Sequence, residues 1–242
     1  MIEVASLNPL RAIARLLYPP ACVVCSVDVA PNQYLCDSCD DKITRIVPPF
    51  CAKCSEPFVG SMKGEFTCAN CAHRTIHFDA AVAAYRSRGI VRRIVLDFKY
   101  GKQIHLRHLI GGWLCQAVND PRLRGREFDL IVPVPLHPAR QRERGFNQAE
   151  LLAEILSAHI SIPSRSILQR IRYTTTQTAF DRAERMENLR NAFRLRKNAD
   201  VQGLGVLLVD DVLTTGSTLS ECARILKTAG ARSVHAATAA RA

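Results

Sequence analysis

The sequence has no apolar run long enough to cross a bilayer, which excludes an integral membrane protein built on helical spans. Its first residues, Met1-Ile2-Glu3-Val4-Ala5-Ser6-Leu7, lack a basic stretch followed by an apolar one, so no secretion signal is expected and the cytoplasm is favoured. Aromatic residues make up only 6% of the chain and do not interleave with the basic ones. That weakens any reading as a stacking platform for single-stranded nucleic acid. Positive charge is missing from one region. Residues 1–78 hold seven Lys/Arg against seven Asp/Glu, while residues 79–242 hold 26 against 15 and so carry the whole net charge of +11. An anionic ligand or partner is therefore expected on the C-terminal part, and the N-terminal part is better suited to contact protein.

What the N-terminal part has is cysteine. Eight of the ten cysteines form four Cys-x-x-Cys pairs: Cys22/Cys25, Cys36/Cys39, Cys51/Cys54 and Cys68/Cys71. Without a secretion signal, this density argues against disulfides and for zinc. Two intervening residues let both thiolates of a knuckle reach one ion, and two knuckles complete a tetrahedral site. Ten residues separate the first two knuckles and thirteen the last two, both close to zinc-ribbon lengths. Two structural Zn2+ sites are expected. Sequential pairing closes shorter loops and is preferred over a crossed arrangement. His73 and His77 are surplus to eight thiols, and Cys115 and Cys222 read as buried free thiols.

From about residue 78 the character changes. A helix is expected over residues 7–18, stopped by Pro19-Pro20, and the zinc module fills the rest of residues 1–77. Residues 78–242 alternate strands and helices: strands at residues 78–85, 129–135, 206–211 and 233–239, helices at 90–98, 109–118, 147–160 and 219–227. That alternation predicts an α/β domain with a mostly parallel sheet covered on both faces, whose ligands bind beyond the carboxyl ends of the strands. Residues 171–191 are polar, basic and without apolar period, the pattern of a mobile loop.

Two stretches lie on that carboxyl edge. The first reads Val-Leu-Leu-Val-Asp-Asp-Val-Leu-Thr-Thr-Gly-Ser-Thr-Leu over residues 206–219. An apolar strand meets two acids, then a hydroxyl- and glycine-rich turn, then a helix. Such a turn suits a phosphate, because free backbone N–H groups and the positive helix end converge there. Asp210 and Asp211 would repel a bare phosphate, so the ligand should also carry sugar hydroxyls or a magnesium ion. A plain strand followed by a helix capped by Thr218 would leave the two acids unexplained. The second stretch, residues 132–148, stiffens a strand exit with Pro133 and Pro135, then presents His137, Arg140, Arg142 and Arg144, which suit a pyrophosphate.

The acidic pair with its Thr-Thr-Gly turn resembles the phosphoribosyl pyrophosphate motif of type I phosphoribosyltransferases. That resemblance implies that Asp210 and Asp211 contact the ribose hydroxyls and that Thr214, Thr215, Gly216, Ser217 and Thr218 hold the 5′-phosphate. With the four knuckles, the arginine stretch, Phe98-Lys99-Tyr100-Gly101, Thr176-Gln177-Thr178, Arg185, Asn188, Asn191, Phe193 and the terminal Ala-Arg, the chain resembles the ComF family nearly throughout. The family implies a double zinc ribbon before a type I phosphoribosyltransferase domain, with a role in DNA uptake and cytoplasmic single-stranded DNA. Phosphoribosyl pyrophosphate with Mg2+ would be the ligand, and Arg140, Arg144 and Lys99 would stabilise the leaving pyrophosphate. A competence helicase and single-stranded DNA are the implied partners. No separate hood for an acceptor base is evident, unless the zinc module serves as one. The alternative is a non-catalytic adaptor for nucleic acid or protein that retains the phosphoribosyl pocket.

Overall fold

The computed structural model describes residues 19–58, 60, 64–172 and 191–242. The helix expected over residues 7–18 lies outside them. So do most of the loop expected over residues 171–191, Thr176-Gln177-Thr178, Arg185 and Asn188. The chain divides into two compact units, Met1–Thr44 and Arg45–Ala242. No helix among the described residues is long and apolar enough to cross a membrane.

The first unit is organised around Cys22, Cys25, Cys36 and Cys39. A one-turn helix, α1 (Asp37–Asp40), follows the third cysteine. Backbone bonds from Cys22 N to Val27 O and from Val23 N to Tyr34 O fold the strands of the knuckle together. Little else is buried among the described residues of this unit, so metal stands in for a core there.

In the second unit, a four-stranded sheet has the order β1 (Ala81–Arg86), β6 (Ser233–Arg241), β5 (Gly205–Leu213), β2 (Leu130–Pro133), and every pairing is parallel. The central strands are buried almost without alternation, as a sheet covered on both faces requires. On one face, α4 (Arg107–Ala117) packs on β1 and β6, and α6 (Gln148–Ile160) packs on β5 and β2. These two helices also touch closely: a Cβ on Gly111 would come within 2.8 Å of Ile155, so this crossing needs glycine. On the other face lie α7 (Ser217–Thr228) and a short antiparallel ribbon, β3 (Leu168–Arg170) with β4 (Phe193–Leu195). The ribbon was not foreseen. Three-residue strands are too short to show a period.

The second cysteine group belongs to this unit's own core. Cys51, Cys54, Cys68 and Cys71 are buried in one cluster with Phe78, Leu130, Val132, Val206, Leu208, Leu219 and Cys222. Polar ties fix it there. Ser55 Oγ donates to Ala81 O at 2.9 Å. Arg122 donates to the carbonyls of Cys51 and Ala52 and to Ser55 Oγ, while Asp120 grips the same guanidinium at 2.7 Å. Arg241, buried at the end of β6, bonds both Leu213 O and the carboxylate of Glu56.

Candidate phosphoribosyl site

Side chains alternate along a strand, so adjacent acids on β5 turn to opposite sides. Ladder pairing with β2 stops at Pro133 opposite Val209, and Val134 N makes the last bond to Val209 O. Pro135 cannot donate, so β5 continues past β2 with that side left open among the described residues. Asp210 and Asp211 sit at the start of that open segment. Asn147 holds the strand exit, donating to Val134 O at 3.2 Å and capping α6 by accepting from Ala149 N.

Asp211 is buried, and its Oδ2 lies 2.7 Å from Lys99 Nζ, in the last turn of α3 (Gly89–Tyr100). Burial alone would pull the Lys99 ammonium down, but Asp211 and Asp210 outweigh it and hold its pKa above the ordinary value. Among the described residues Asp210 has no such close ion pair. Burial, and then the neighbouring Asp211 charge, push its carboxyl up to about 8 against the pull of Lys99. A carboxylate held in that condition fits a ligand that brings a cation or hydroxyl donors.

The arginine stretch forms a helix: α5 (Pro138–Arg144) starts with His137 Nδ1 accepting from Ala139 N and ends on Gly145 in the left-handed region. Two residues along a helix rotate a side chain by about 200°, so three arginines at every second position cannot share one ligand. Arg144 stacks on Tyr100 at 4.7 Å and donates to Tyr100 Oη and Gln148 Oε1. Arg140 neighbours Arg170 of β3. Burial, then the Arg140 charge, lower the Arg170 pKa while Asp210 opposes them. His137 is lowered by burial and by Arg170, Arg142 and Arg140. Cations are thus crowded beside the acids, as a pyrophosphate site requires.

The loop over residues 214–218 follows β5. Gly216 takes φ +75°, and a Cβ there would lie 3.3 Å from Arg74 Nη2, so both backbone and space favour glycine. It is the residue before the first turn of α7, where the sequence had suggested Thr218. The first N–H groups of that twelve-residue helix have no intrahelical acceptor, and Ser217 N donates to Thr215 Oγ1 at 3.4 Å. Ser217 Oγ and Thr215 Oγ1 lie 3.0 Å apart. Arg74 Nη2 donates to Thr215 O, Arg74 Nη1 to Ser217 Oγ at 3.3 Å, and Asn70 to Thr215 O at 3.4 Å. Tyr100 lies within the Phe98–Gly101 segment of the family resemblance, but Arg74, Asn70 and Arg170 were not singled out by sequence reasoning. None of these three carries a motif signal, since their role depends on folding alone.

Both cysteine groups meet the geometric test for zinc. Within each, all four sulfurs lie within 4.8 Å of one another. The Cys25–Cys36 and Cys54–Cys68 sulfurs are 3.6 and 3.7 Å apart. Zn–S bonds of about 2.3 Å give tetrahedral edges of about 3.8 Å. Pairing is sequential, as the loop lengths suggested.

Residues 13–74 match the double zinc ribbon domain family, and residues 147–242 match the phosphoribosyl transferase domain family. Competence protein F of Haemophilus influenzae is 33% identical over 221 residues, covering 88% of this chain and 93% of that protein. The chain belongs to the ComF family. Other ComF relatives extend across the same span. DNA utilization protein YhgH of Escherichia coli K12 is 31% identical over 90% of this chain and 96% of its own length. Competence protein ComFC of Bacillus subtilis is 28% identical over 81% and 79%. Among solved structures, the allosteric regulatory enzyme of purine biosynthesis is 24% identical over 55% of this ComF chain and 25% of that one, with a TM-score of 0.37. Adenine phosphoribosyltransferase of Thermoanaerobacter pseudethanolicus is 19% identical over 56% and 68%, with a TM-score of 0.34. The ComF chain thus joins a zinc-ribbon module with two four-cysteine zinc-binding sites to a parallel sheet of phosphoribosyltransferase type.

Proposed function

We propose that this chain binds phosphoribosyl pyrophosphate with Mg2+ at the open end of β5 and serves DNA uptake in the cytoplasm. One observation carries the reading: an acid pair, one member ion-paired to Lys99 and the other raised to about 8, is followed directly by a glycine-turned helix N-terminus. Asp210 and Asp211 would hold the ribose hydroxyls and the metal, which would supply charge neutralisation for the pyrophosphate. Residues 214–218 would hold the 5′-phosphate. Lys99, Arg140 and Arg144 would face the pyrophosphate, with Arg170 added by its place beside Arg140 and Asp210. As a transferase, the site would work by positioning and charge stabilisation while a nitrogen acceptor displaced pyrophosphate.

Calorimetric titration with phosphoribosyl pyrophosphate tests the binding. Saturable binding is expected with Mg2+, weaker by about tenfold or more without it, the size of one lost charge-assisted interaction. No heat in either condition would sink the reading. Release of pyrophosphate when purine or pyrimidine acceptors are added would make the chain an enzyme. Binding without release favours the adaptor reading, which gains support because no acceptor-base shelf stands out among the described residues.

For DNA, the support is the +11 charge confined to residues 79–242, together with the names of the competence and DNA-utilization relatives. Single-stranded DNA affinity should fall about tenfold or more between 50 and 200 mM salt, given three or more phosphate contacts. A flat salt response would count against it. A competence helicase remains the proposed protein partner, best suited to the charge-balanced cysteine-rich region.

A further inference from the structure

We infer that Arg74, carried on the chain that leaves the second four-cysteine site, is the positioning residue of the phosphate loop. The inference rests on the ribose-phosphate reading of residues 214–218 and names what shapes them. Cys71 is a ligand position of the buried zinc group, and Arg74 follows three residues later, after the one-turn helix α2 (Ala69–Ala72). Its guanidinium reaches across to the far end of the sequence. One amino group donates to Thr215 O and the other to Ser217 Oγ.

These two acceptors flank Gly216, the residue whose left-handed conformation turns β5 into α7. A planar fork bonded on both sides of that glycine fixes the turn more tightly than one donor could. Asn70 Nδ2 adds a third bond, again to Thr215 O, and His77 N donates to Ser220 Oγ one turn into α7. The whole segment from the fourth knuckle to Phe78 therefore lies along the start of α7. By engaging Thr215 O, Arg74 also offsets that carbonyl's negative end and brings a positive charge to the loop that would take the anion. A loop so held is prepaid in entropy before a phosphate arrives.

The test uses the full chain and two separate probes, ribose 5-phosphate for the loop and inorganic pyrophosphate for the cationic side. Arg74→Ala should weaken ribose 5-phosphate by about tenfold or more, the loss of two bonds to a charged group, while pyrophosphate affinity stays within about twofold. Arg74→Lys keeps the charge but lacks the planar fork that spans both acceptors, so it should fall between. Zinc content and melting temperature establish folding, and Arg74→Lys carries the test if Arg74→Ala does not fold. Wild-type affinity for ribose 5-phosphate in the folded variants overturns the inference. Equal weakening for both probes overturns it too, since it would mark a general structural role. If wild type binds pyrophosphate but not ribose 5-phosphate, the loop reading fails first and takes the inference with it.

Discussion

Cys54→Ser is expected to lower the melting temperature of the sheet unit by roughly 6–16 °C, while Cys25→Ser leaves it within about 2 °C. The argument starts from burial. All four sulfurs of the second group are less than a tenth exposed and share one cluster with Leu130, Val206 and Leu208 of the sheet. Structural zinc contributes about 10–16 kcal/mol in small zinc domains, so one ligand in four represents about 3–4 kcal/mol. At about 2–4 °C per kcal/mol for a domain of this size, that gives the stated range. The serine hydroxyl adds an unmet polar group in an apolar place. Cys25, by contrast, is exposed and belongs to the other compact unit. The measurement is calorimetric melting with zinc content determined in parallel. Equal shifts in both variants would show that the second group is not part of the sheet unit's core.

Asp211→Asn should cost about 100-fold in affinity for Mg2+-phosphoribosyl pyrophosphate, about 2.7 kcal/mol, the worth of one or two hydrogen bonds to a charged group. The variant should stay folded, because Lys99, deprived of its partner at 2.7 Å, still faces Asp210, which is then freed of its like-charged neighbour. Undiminished binding by Asp211→Asn would remove the acid pair from the site. The raised Asp210 gives a second readout. With a folded pKa of about 8 against an ordinary 3.8, the folded chain binds more protons than the unfolded one between these values. Stability without ligand should therefore fall as pH rises from about 4 to about 8 and level off above. Asp210→Asn should flatten that slope. A ligand that needs the ionised carboxylate must displace the proton, so binding at pH 7 should release close to one proton and at pH 9 almost none. Titrations in buffers of different ionisation enthalpy measure this directly. Absence of release at pH 7 would mean that Asp210 is already charged or does not meet the ligand.

Much of this site could be read before folding because its chemistry is local in sequence. The acid pair, the Thr-Thr-Gly turn and the helix after it occupy one continuous stretch, and the Cys-x-x-Cys spacing is itself the geometry of a knuckle. Strand and helix positions followed from apolar period: the helix expected over residues 147–160 is α6, with Asn147 as its cap. Contacts made across distance were hidden. Arg74 meets Thr215 over 141 positions, and Arg241 meets Glu56 over 185. Arg170 comes within the field of Asp210 through a three-residue strand with no period to detect. The arginine stretch was legible in part. On α5, Arg140 and Arg144 lie four residues apart and share a face, while Arg142 turns to the other side.

The unequal burial of the two cysteine groups has a kinetic meaning as well. A chelator must contact a metal–sulfur bond to remove the ion stepwise. Cys25 is exposed and Cys36 half-exposed, so the first site offers such contact directly. The second offers it only after Phe78, Leu219 and their neighbours part. Metal in the first site will therefore exchange on the timescale of local breathing. Metal in the second will exchange on that of unfolding, whatever their equilibrium affinities. One chain would thus hold a labile zinc and a durable one, built from the same four-thiolate chemistry.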